Sequence, residues 1–393
     1  MQTFPISAMT VTSAAGQGLD AHRKALSMGR GGLRSNDFPH CSLKTWIGRV
    51  EGTEAVELPG YLADRDCRNN QLALLGIEQD GFVDRIHSAK KRYGSERVGC
   101  ILGTSTAGIS ATEAAYRAGV EDGHMPEEYR LPRVHTPHTS SDFISALLGI
   151  DGPVWTISTA CSSSAKVFAS GARMIQAGLA DAVIVGGADS LCLSVLYGFN
   201  ALELVSGSPC RPFDQRRDGL SLGEAAGFAL LERQASDPVA MLAGWGESSD
   251  AWHMAAPHPE GAGARAAMEA ALKSARLEAS DIGYINLHGT ATPQNDATET
   301  GVIRGLFGES TPASSTKGWT GHTLGAAGIA ESVFSLLALT DGLLPATLNC
   351  DQVEAEASGF VLTEPRKCAV DYVATNSFGF GGSNCTLIFG KAS

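Results

Sequence analysis

Charged residues are scarce in this sequence, and basic residues are the scarcer kind. Only 18% of the 393 residues are charged, and 30 lysines and arginines stand against 42 acidic residues, which gives a formal net charge of −12. A protein that binds nucleic acid through its phosphates normally carries a basic surface. The charge balance therefore argues against a nucleic-acid partner.

Long apolar runs and paired cysteines are also missing. No segment reaches the roughly 18 consecutive apolar residues of a membrane-spanning helix, and the first five residues lack the basic start of a secretory signal. The nine cysteines are odd in number and contain no Cys-x-x-Cys pair, which is typical of reduced thiols. We therefore expect a cytoplasmic protein with no membrane partner.

The motifs of common cofactor and metal sites are incomplete. Asn384 stands where a dinucleotide fingerprint has its third glycine, and no Gly-Lys-Ser/Thr phosphate loop occurs. The 103–107 stretch lacks the last glycine of a serine-hydrolase elbow. The sequence predicts no metal site and no permanently bound cofactor. Four histidines without the acidic or thiol neighbours of a zinc site are interpreted as loop residues: His135, His138, His253 and His258.

Hydrophobic residues make up 43% of the chain, enough to bury a large core. Short apolar runs alternate with segments of helical period, which is typical of an α/β protein. A break at 234–238 predicts two domains, 1–235 and 236–393. The predicted strands are 154–158, 182–185, 227–231, 282–287 and 386–389. A helix after residue 161 is predicted to place on one face Val167, Phe168, Met174, Ile175 and Leu179, and 324–339 is predicted to be a buried helix.

The densest group of small polar residues surrounds Cys161. The 158–165 stretch, Ser-Thr-Ala-Cys-Ser-Ser-Ser-Ala, ends a predicted strand and leads into a predicted helix. A thiol in the first turn of a helix lies near unpaired backbone N–H groups and the positive end of the dipole, which lower its pKa. The same N–H groups could donate to an oxyanion. Cys161 is therefore a candidate nucleophile, with a buried structural cysteine as the alternative.

Two histidines lie at strand or loop ends beside glycine. His288 opens a stretch that reads His-Gly-Thr-Ala-Thr-Pro, and His322 follows Gly321. Glycine lets the backbone approach a ligand closely. Taken singly, each histidine also fits a structural role, but with Cys161 the two form a candidate set.

A third glycine-rich stretch, 376–384, carries two aromatic residues just before the last predicted strand. Phe378 and Phe380 alternate there with glycines. A hinged aromatic side chain can act as a gate over a site, whereas a tight turn with hydrophobic anchors is the alternative. The stretch alone does not distinguish the two.

In this order, the stretches around residues 161, 288, 322 and 380 resemble those of the β-ketoacyl-acyl carrier protein synthases of the elongating (I/II) class, in the thiolase-like superfamily. Weaker likeness at 181–189, 210–219 and 249–254 extends the resemblance over essentially the whole chain. The resemblance implies a five-layered α-β-α-β-α fold of two similar halves. It also implies an acyl carrier protein whose phosphopantetheine carries the substrates, and a homodimer or a heterodimer with a related ketosynthase-like subunit.

The resemblance further implies a role for each matched residue. Cys161 would accept an acyl chain from a carrier thioester, and the enolate formed by decarboxylation of malonyl-carrier protein would attack it. His288 and His322, as neutral imidazoles, would donate to the developing negative charge. The other implied roles are Lys317 and Glu331 as a buried pair that orients the imidazoles, the amides of Cys161 and Phe380 as oxyanion donors, Phe380 and Phe378 as the gate, and Thr290 and Thr292 as partners of the pantetheine arm.

Two departures from the family pattern bear on the substrate. Thr106 stands where elongating synthases often have a bulky aliphatic residue that lines the acyl pocket, and the 204–211 segment is shorter than in housekeeping enzymes. Both favour an unusual chain, such as an aryl-polyene or other polyunsaturated intermediate. Because both this chain and the family's carrier proteins are acidic, docking requires a local basic patch. The candidate docking residues are Arg65, Arg68, Arg130, Arg133 and Arg211.

Two other functions remain open. A chain-length-factor-like subunit, which shapes the tunnel of a partner, typically lacks the nucleophile that Cys161 provides. A hydrolase or acyltransferase with a Cys–His pair would leave the second histidine, Lys317 and the gate stretch without a role. The sequence therefore favours a condensing enzyme.

Overall fold

The computed structural model describes residues 3–119, 123–124, 126, 129 and 131–392. One predicted docking residue, Arg130, lies outside the described residues. The α-helices are α1 (Gly18–Met28), α2 (Arg68–Ile77), α3 (Phe82–Tyr93), α4 (Ile109–Gly119), α5 (Leu131–Val134), α6 (His138–Leu148), α7 (Ser163–Gln176), α8 (Leu193–Ala201), α9 (Ala262–Ala275), α10 (Pro293–Phe307), α11 (Lys317–Thr320) and α12 (Ala327–Asp341).

The strands include all five that the apolar runs predict. Their bounds are β1 (Phe4–Ser13), β2 (Gly16–Gln17), β3 (Arg34–Ser35), β4 (Trp46–Gly48), β5 (Val98–Gly103), β6 (Val154–Ile157), β7 (Ala182–Asp189), β8 (Leu222–Gly223), β9 (Ala225–Glu232), β10 (Ala240–Ser249), β11 (Tyr284–Asn286), β12 (Ala313–Ser314), β13 (Leu343–Leu344), β14 (Arg366–Lys367), β15 (Tyr372–Gly379) and β16 (Ser383–Lys391).

The main sheet has two halves with the same strand pattern. In the first, β6-β5-β7-β9-β1, the first three strands are parallel and the next two pairings are antiparallel. The second, β12-β11-β15-β16-β10, repeats this pattern. The halves join where Phe4 of β1 pairs with Leu242 of β10, and the next two residues continue the pairing.

Helices lie between the halves and on both outer faces. α7 and α12 contact each other and strands of both halves. α2, α3 and α6 cover the outer face of the first half, and α9 and α10 cover that of the second. The largest apolar core surrounds α7 and α12. The layers therefore follow the order α-β-α-β-α.

α12 is buried on all sides because it lies at the centre of these layers. Every residue of 327–339 is buried, and small side chains allow close approach: a Cβ on Gly328 would lie 2.4 Å from the backbone nitrogen of Ala165 in α7. Leu324–Asp341 is long and apolar enough to cross a membrane by length and composition, but 89% of it is buried inside the fold. That burial is typical of a core helix.

Two local predictions were wrong. Leu179 does not share the buried face of α7, because the helix ends at Gln176 and Gly178, with a left-handed φ of 72°, turns the chain outward. His138 is the first residue of α6 and not a loop residue. Pro137 precedes it, and the fixed φ of proline suits a helix start.

Candidate active site

Cys161 lies in the sharp turn that joins β6 to α7. Ala160 before it has a left-handed φ of 51°, a conformation that costs a non-glycine residue about 1–3 kcal/mol. α7 starts two residues later, at Ser163. The turn therefore places the thiol just ahead of the helix N-terminus, where it is only 5% exposed.

Burial dominates the ionisation of Cys161. The loss of hydration raises the pKa of the thiol to about 11, against the lowering effects of Lys317 and of a backbone hydrogen bond from Phe380. The expected lowering of the pKa was therefore wrong, because the side chain is buried and burial disfavours the thiolate. The thiol consequently needs a close partner that stabilises its ionised form.

His322 is that close partner. Its Nε2 lies 2.9 Å from Sγ of Cys161. The His322 backbone N–H donates to the carbonyl oxygen of Ser221 at 2.7 Å, and its carbonyl oxygen accepts from the N–H of Gly223 at 2.9 Å. Its Nδ1 has no hydrogen-bond partner among the described residues. The orientation of this ring therefore depends on the position of its backbone and on packing.

His288 follows β11 and packs its ring against His322. The ring centroids are 5.5 Å apart and the planes are nearly perpendicular, at 87°. Nζ of Lys317 lies 3.3 Å from His288 Nδ1 and also donates to the His288 carbonyl oxygen and to Glu331. Because an ammonium only donates, Nδ1 of His288 is the acceptor and Nε2 carries the proton. The structure thus brings together all the predicted residues of this cluster.

The charges in the cluster follow from its burial. Burial first, and Lys317 second, lower the pKa of both His288 and His322 well below the ordinary 6.5. Burial raises the pKa of Glu331 to about 7, against the opposing effect of Lys317. Both imidazoles are therefore neutral at neutral pH, and each can donate one N–H to an anion.

A cavity of about 210 Å³ opens onto Cys161, His288 and His322. Thr290 and Thr292 also line it, and their hydroxyl oxygens are 2.8 Å apart. Among the described residues, no group of three or more His, Cys, Asp and Glu could hold a metal ion. The cavity is thus equipped with a thiol, two imidazoles and two hydroxyls.

The two aromatic residues of the glycine-rich stretch line the same cavity. The ring of Phe380 stacks on Phe199 with centroids 5.3 Å apart, and the ring of Phe378 lies 5.7 Å from that of His288. Gly381, next to Phe380, has a left-handed φ of 76°, which glycine adopts without steric cost. Both aromatic rings therefore lie on the cavity wall, beside a backbone turn that requires glycine.

Thr106 does not line this cavity, contrary to prediction. It is buried, and both its N–H and its hydroxyl donate to Asp189, at 3.0 and 2.9 Å. The hydroxyl is therefore committed to a carboxylate inside the first half of the fold. No sequence pattern indicates that Asp189 would reach Thr106.

Two of the predicted docking arginines cannot present a free charge. Arg65 is buried and lies 2.7 Å from Asp142. Arg68 is held between Glu54 and Glu224, and only 10% of its side chain is exposed. Because both charges are neutralised within the chain, the prediction that these residues form a basic docking patch was wrong.

Arg133 and Arg211 retain some access to solvent. The side chain of Arg133 is half exposed and lies 3.5 Å from Asp64. Arg211 is partly buried and donates to the hydroxyl of Ser208 at 3.1 Å. A docking role for these two stays a prediction.

Two buried acids that the sequence interpretation missed shape the loop after His288. Glu299 accepts hydrogen bonds from the backbone N–H groups of His288 and Gly289, at 2.9 and 2.8 Å. Asp296 accepts one from Ala291 at 3.2 Å. Burial raises the pKa of Glu299 to about 7 and that of Asp296 to about 6. Their three-residue spacing at the start of α10, which puts both on one helix face, was the available signal.

The chain is similar to known proteins over almost its whole length. Residues 76–236 match the family model of the β-ketoacyl synthase N-terminal domain, and residues 239–351 match that of the C-terminal domain. The 3-oxoacyl-[acyl-carrier-protein] synthase 2 of Vibrio harveyi is 33% identical over 98% of each chain. Nodulation protein E of Rhizobium meliloti is 33% identical over 93% of this chain and 99% of that protein.

A solved structure extends the likeness to the whole fold. A chain from the complex of a ketosynthase (ApeO) with its chain length factor (ApeC) from Xenorhabdus doucetiae is 39% identical, with a TM-score of 0.90. The match covers 100% of this chain and 98% of that chain. The predicted thiolase-like α/β fold is confirmed, and the chain belongs to the β-ketoacyl synthase family.

Proposed function

We propose that this chain condenses an acyl group held on Cys161 with malonyl-acyl carrier protein, with loss of carbon dioxide, to give a 3-oxoacyl-acyl carrier protein. One observation carries the proposal: Sγ of Cys161 lies 2.9 Å from Nε2 of His322, and His288 packs beside it on the same cavity. A nucleophile with two neutral N–H donors suits acyl transfer followed by stabilisation of an enolate.

The first step is acylation of Cys161. The sulfur attacks the thioester carbonyl of an acyl chain on the phosphopantetheine of the carrier protein, and a tetrahedral oxyanion forms. The backbone N–H groups of Cys161 and Phe380 donate to that oxyanion. When the adduct collapses, the pantetheine sulfur leaves and takes up the proton that the Cys161 thiol lost.

The second step uses both histidines. The malonyl group loses its carboxylate as carbon dioxide, and the electron pair moves onto the thioester oxygen to form an enolate. N–H groups of His288 and His322 stabilise the charge where it develops, which lowers the barrier. The enolate carbon then attacks the acyl carbonyl, and the Cys161 thiolate leaves and takes a proton from water.

Lys317 and Glu331 support this step without exchanging protons with the substrate. Lys317 donates to Nδ1 of His288, which keeps the proton on Nε2, where the enolate needs it. Glu331 neutralises the buried ammonium. A buried charge without its partner is strongly destabilising, so the two residues act as a unit.

The rest of the cavity receives the carrier arm. Thr290 and Thr292 present hydroxyls for the pantetheine amides, and rotation of Phe380 and Phe378 about the neighbouring glycines opens the path to Cys161. The nucleophile belongs to a proposed domain 1–235, and the histidines and gate belong to a proposed domain 236–393. We place the reaction in the cytoplasm.

The proposed partners are an acyl carrier protein and a second ketosynthase-like subunit. The relative of known structure was solved with a chain length factor, which supports a heterodimer as the alternative to a homodimer. The contact between Cys161 and His322 argues against the chain itself serving as the chain length factor. Native mass of the untagged, co-purified complex distinguishes the two assemblies.

The proposed acyl chain is an unusual one, of aryl-polyene or polyketide type. The short 204–211 segment supports this proposal, because Leu204 lines the cavity. Thr106 does not support it, because its side chain does not line the cavity. Single-turnover acylation with saturated and aryl-enoyl carrier thioesters tests the substrate. Faster loading of saturated chains would assign the enzyme to ordinary fatty-acid elongation.

Intact-mass measurement tests the function as a whole. With a panel of acyl-carrier thioesters, the wild type should gain one acyl group, and addition of malonyl-carrier protein should remove it as a 3-oxoacyl product. Cys192→Ala is the matched control, since Cys192 is also a buried free thiol. Release of free acid in place of the condensed product would identify a thioester hydrolase.

A further inference from the structure

Asp189 is a fully buried carboxylate at the end of β7. It forms no ion pair with a basic side chain in the described part of the chain. Its oxygens instead accept hydrogen bonds from the hydroxyl of Thr104, the N–H of Ser105 at 2.8 Å and the N–H and hydroxyl of Thr106. A buried carboxylate whose charge is met by hydrogen-bond donors holds those donors in place.

The same carboxylate reaches the segment that follows His322. The N–H of Gly325 donates to Asp189 Oδ2 at 2.6 Å. Leu324 lies between His322 and Gly325 in the sequence and has a left-handed φ of 57°. A leucine keeps that conformation only where its surroundings fix it. A Cβ on Gly325 would lie 2.6 Å from Asp189 Oδ2, so the contact also explains the glycine.

The histidine nearest to the thiol depends on such backbone contacts. Nδ1 of His288 has Lys317 beside it, whereas Nδ1 of His322 has no partner in the described residues. The backbone of His322 itself is held by Ser221 and Gly223, and the turn that follows it is held at Gly325 by Asp189. We propose that Asp189 is a positioning residue, which keeps the imidazole of His322 on Cys161 by fixing the 322–325 turn.

The inference rests on the proposed function, because it assigns a purpose to the contact between His322 and Cys161. Its test needs no carrier protein. The rate at which iodoacetamide alkylates Cys161 is measured against pH and followed by the mass of the Cys161 peptide, since the reagent reacts with the thiolate. If no carrier thioester acylated Cys161, the proposed function would be wrong. The alkylation rates would still show whether Asp189 affects the reactivity of the Cys161 thiol.

Asp189→Asn replaces one oxygen with an NH₂ group, which cannot accept from the N–H groups that now meet the carboxylate. We expect Cys161 to be alkylated about tenfold more slowly, the scale of one lost hydrogen bond to a charged group. His322→Ala should slow it similarly, and the double variant should be no slower than His322→Ala. Asp181→Asn is the matched control at the other end of β7, where it removes ion pairs with Arg97 and Arg233, and its rate should stay within about twofold of wild type.

The direction of the change in alkylation rate distinguishes a positioning role of Asp189 from a direct effect of its negative charge on Cys161. The negative charge of Asp189 by itself raises the pKa of Cys161, so removal of that charge alone would speed alkylation. The proposal would be overturned if a folded Asp189→Asn variant were alkylated at an unchanged or faster rate. It would also be overturned if the double variant slowed alkylation by the product of the two single-variant reductions. If Asp189→Asn does not fold, Thr104→Val removes one donor from the same carboxylate. A rate lower by about threefold supports the proposal, and an unchanged rate contradicts it.

Discussion

Replacement of His288 by alanine tests the proposed chemistry most directly. It removes one of two N–H donors to the enolate oxygen, and loss of one oxyanion donor costs about 2.7–4 kcal/mol, or about 10²–10³ in kcat. The fold should survive, because Lys317 keeps its hydrogen bonds to Glu331 and to the backbone carbonyl of residue 288. Acylation should survive as well, because the contact of His322 with Cys161 does not involve His288.

The assay for this variant separates the two half-reactions. Intact mass reports acyl loading of Cys161, and carbon dioxide release from malonyl-acyl carrier protein reports decarboxylation. His87→Ala is the control, since His87 is an exposed residue of α3. A folded His288→Ala enzyme that loads acyl groups and also releases carbon dioxide within about threefold of the wild-type rate would refute the assignment of His288 as a donor.

Three further predictions concern the same cluster. Cys161→Ala should form no acyl adduct by intact mass, whereas Cys161→Gln, which mimics the acylated thiol, should still release carbon dioxide. At about pH 8, above the raised pKa of Glu331, Glu331→Gln should lower the free energy of unfolding, measured in urea, by about 3–5 kcal/mol, because Lys317 loses its buried counter-ion. An unchanged midpoint would contradict this. The depressed pKa values of His288 and His322 give stability that is complete above about pH 6.5 and is lost below it. Buried carboxylates with raised pKa values act in the opposite direction, and they are present in both the wild type and His322→Ala. The difference between the two proteins therefore isolates His322, and the wild type should lose more free energy of unfolding than His322→Ala between pH 7 and 5.

The reacting groups could be predicted because each depends on a local pattern. Cys161 needs small residues for the strand-to-helix turn, and His288 and His322 need glycine beside them. Lys317 and Glu331 came from family resemblance alone, since a fourteen-residue separation across a turn and a helix does not by itself predict contact. Five strands were predictable from continuous apolar runs, but the ten-residue strands β1 and β10 were not among them. Two-residue strands such as β3 and β8 carry no periodic signal.

The docking arginines show what the sequence could not provide. Arg68 was placed by rough position, but its counter-ion Glu224 lies 156 residues away along the chain. Whether an arginine is free or neutralised depends on such distant partners, and a count of charges contains no information about them. Thr106 failed for the same reason, since Asp189 lies 83 residues away.

The wrong prediction for Cys161 is a matter of magnitudes. A charge at a helix N-terminus gains about 0.3–1 kcal/mol. Burial moves the pKa of this thiol from 9.0 to about 11, which corresponds to about 3 kcal/mol at about 1.4 kcal/mol per unit. The larger effect wins, so a helix start alone cannot hold a thiolate at this buried position. A partner within hydrogen-bond distance must stabilise the charge when it forms, and His322 is the side chain placed to do so. Loss of a contact that fixes the 322–325 turn should therefore slow the reaction of this thiol.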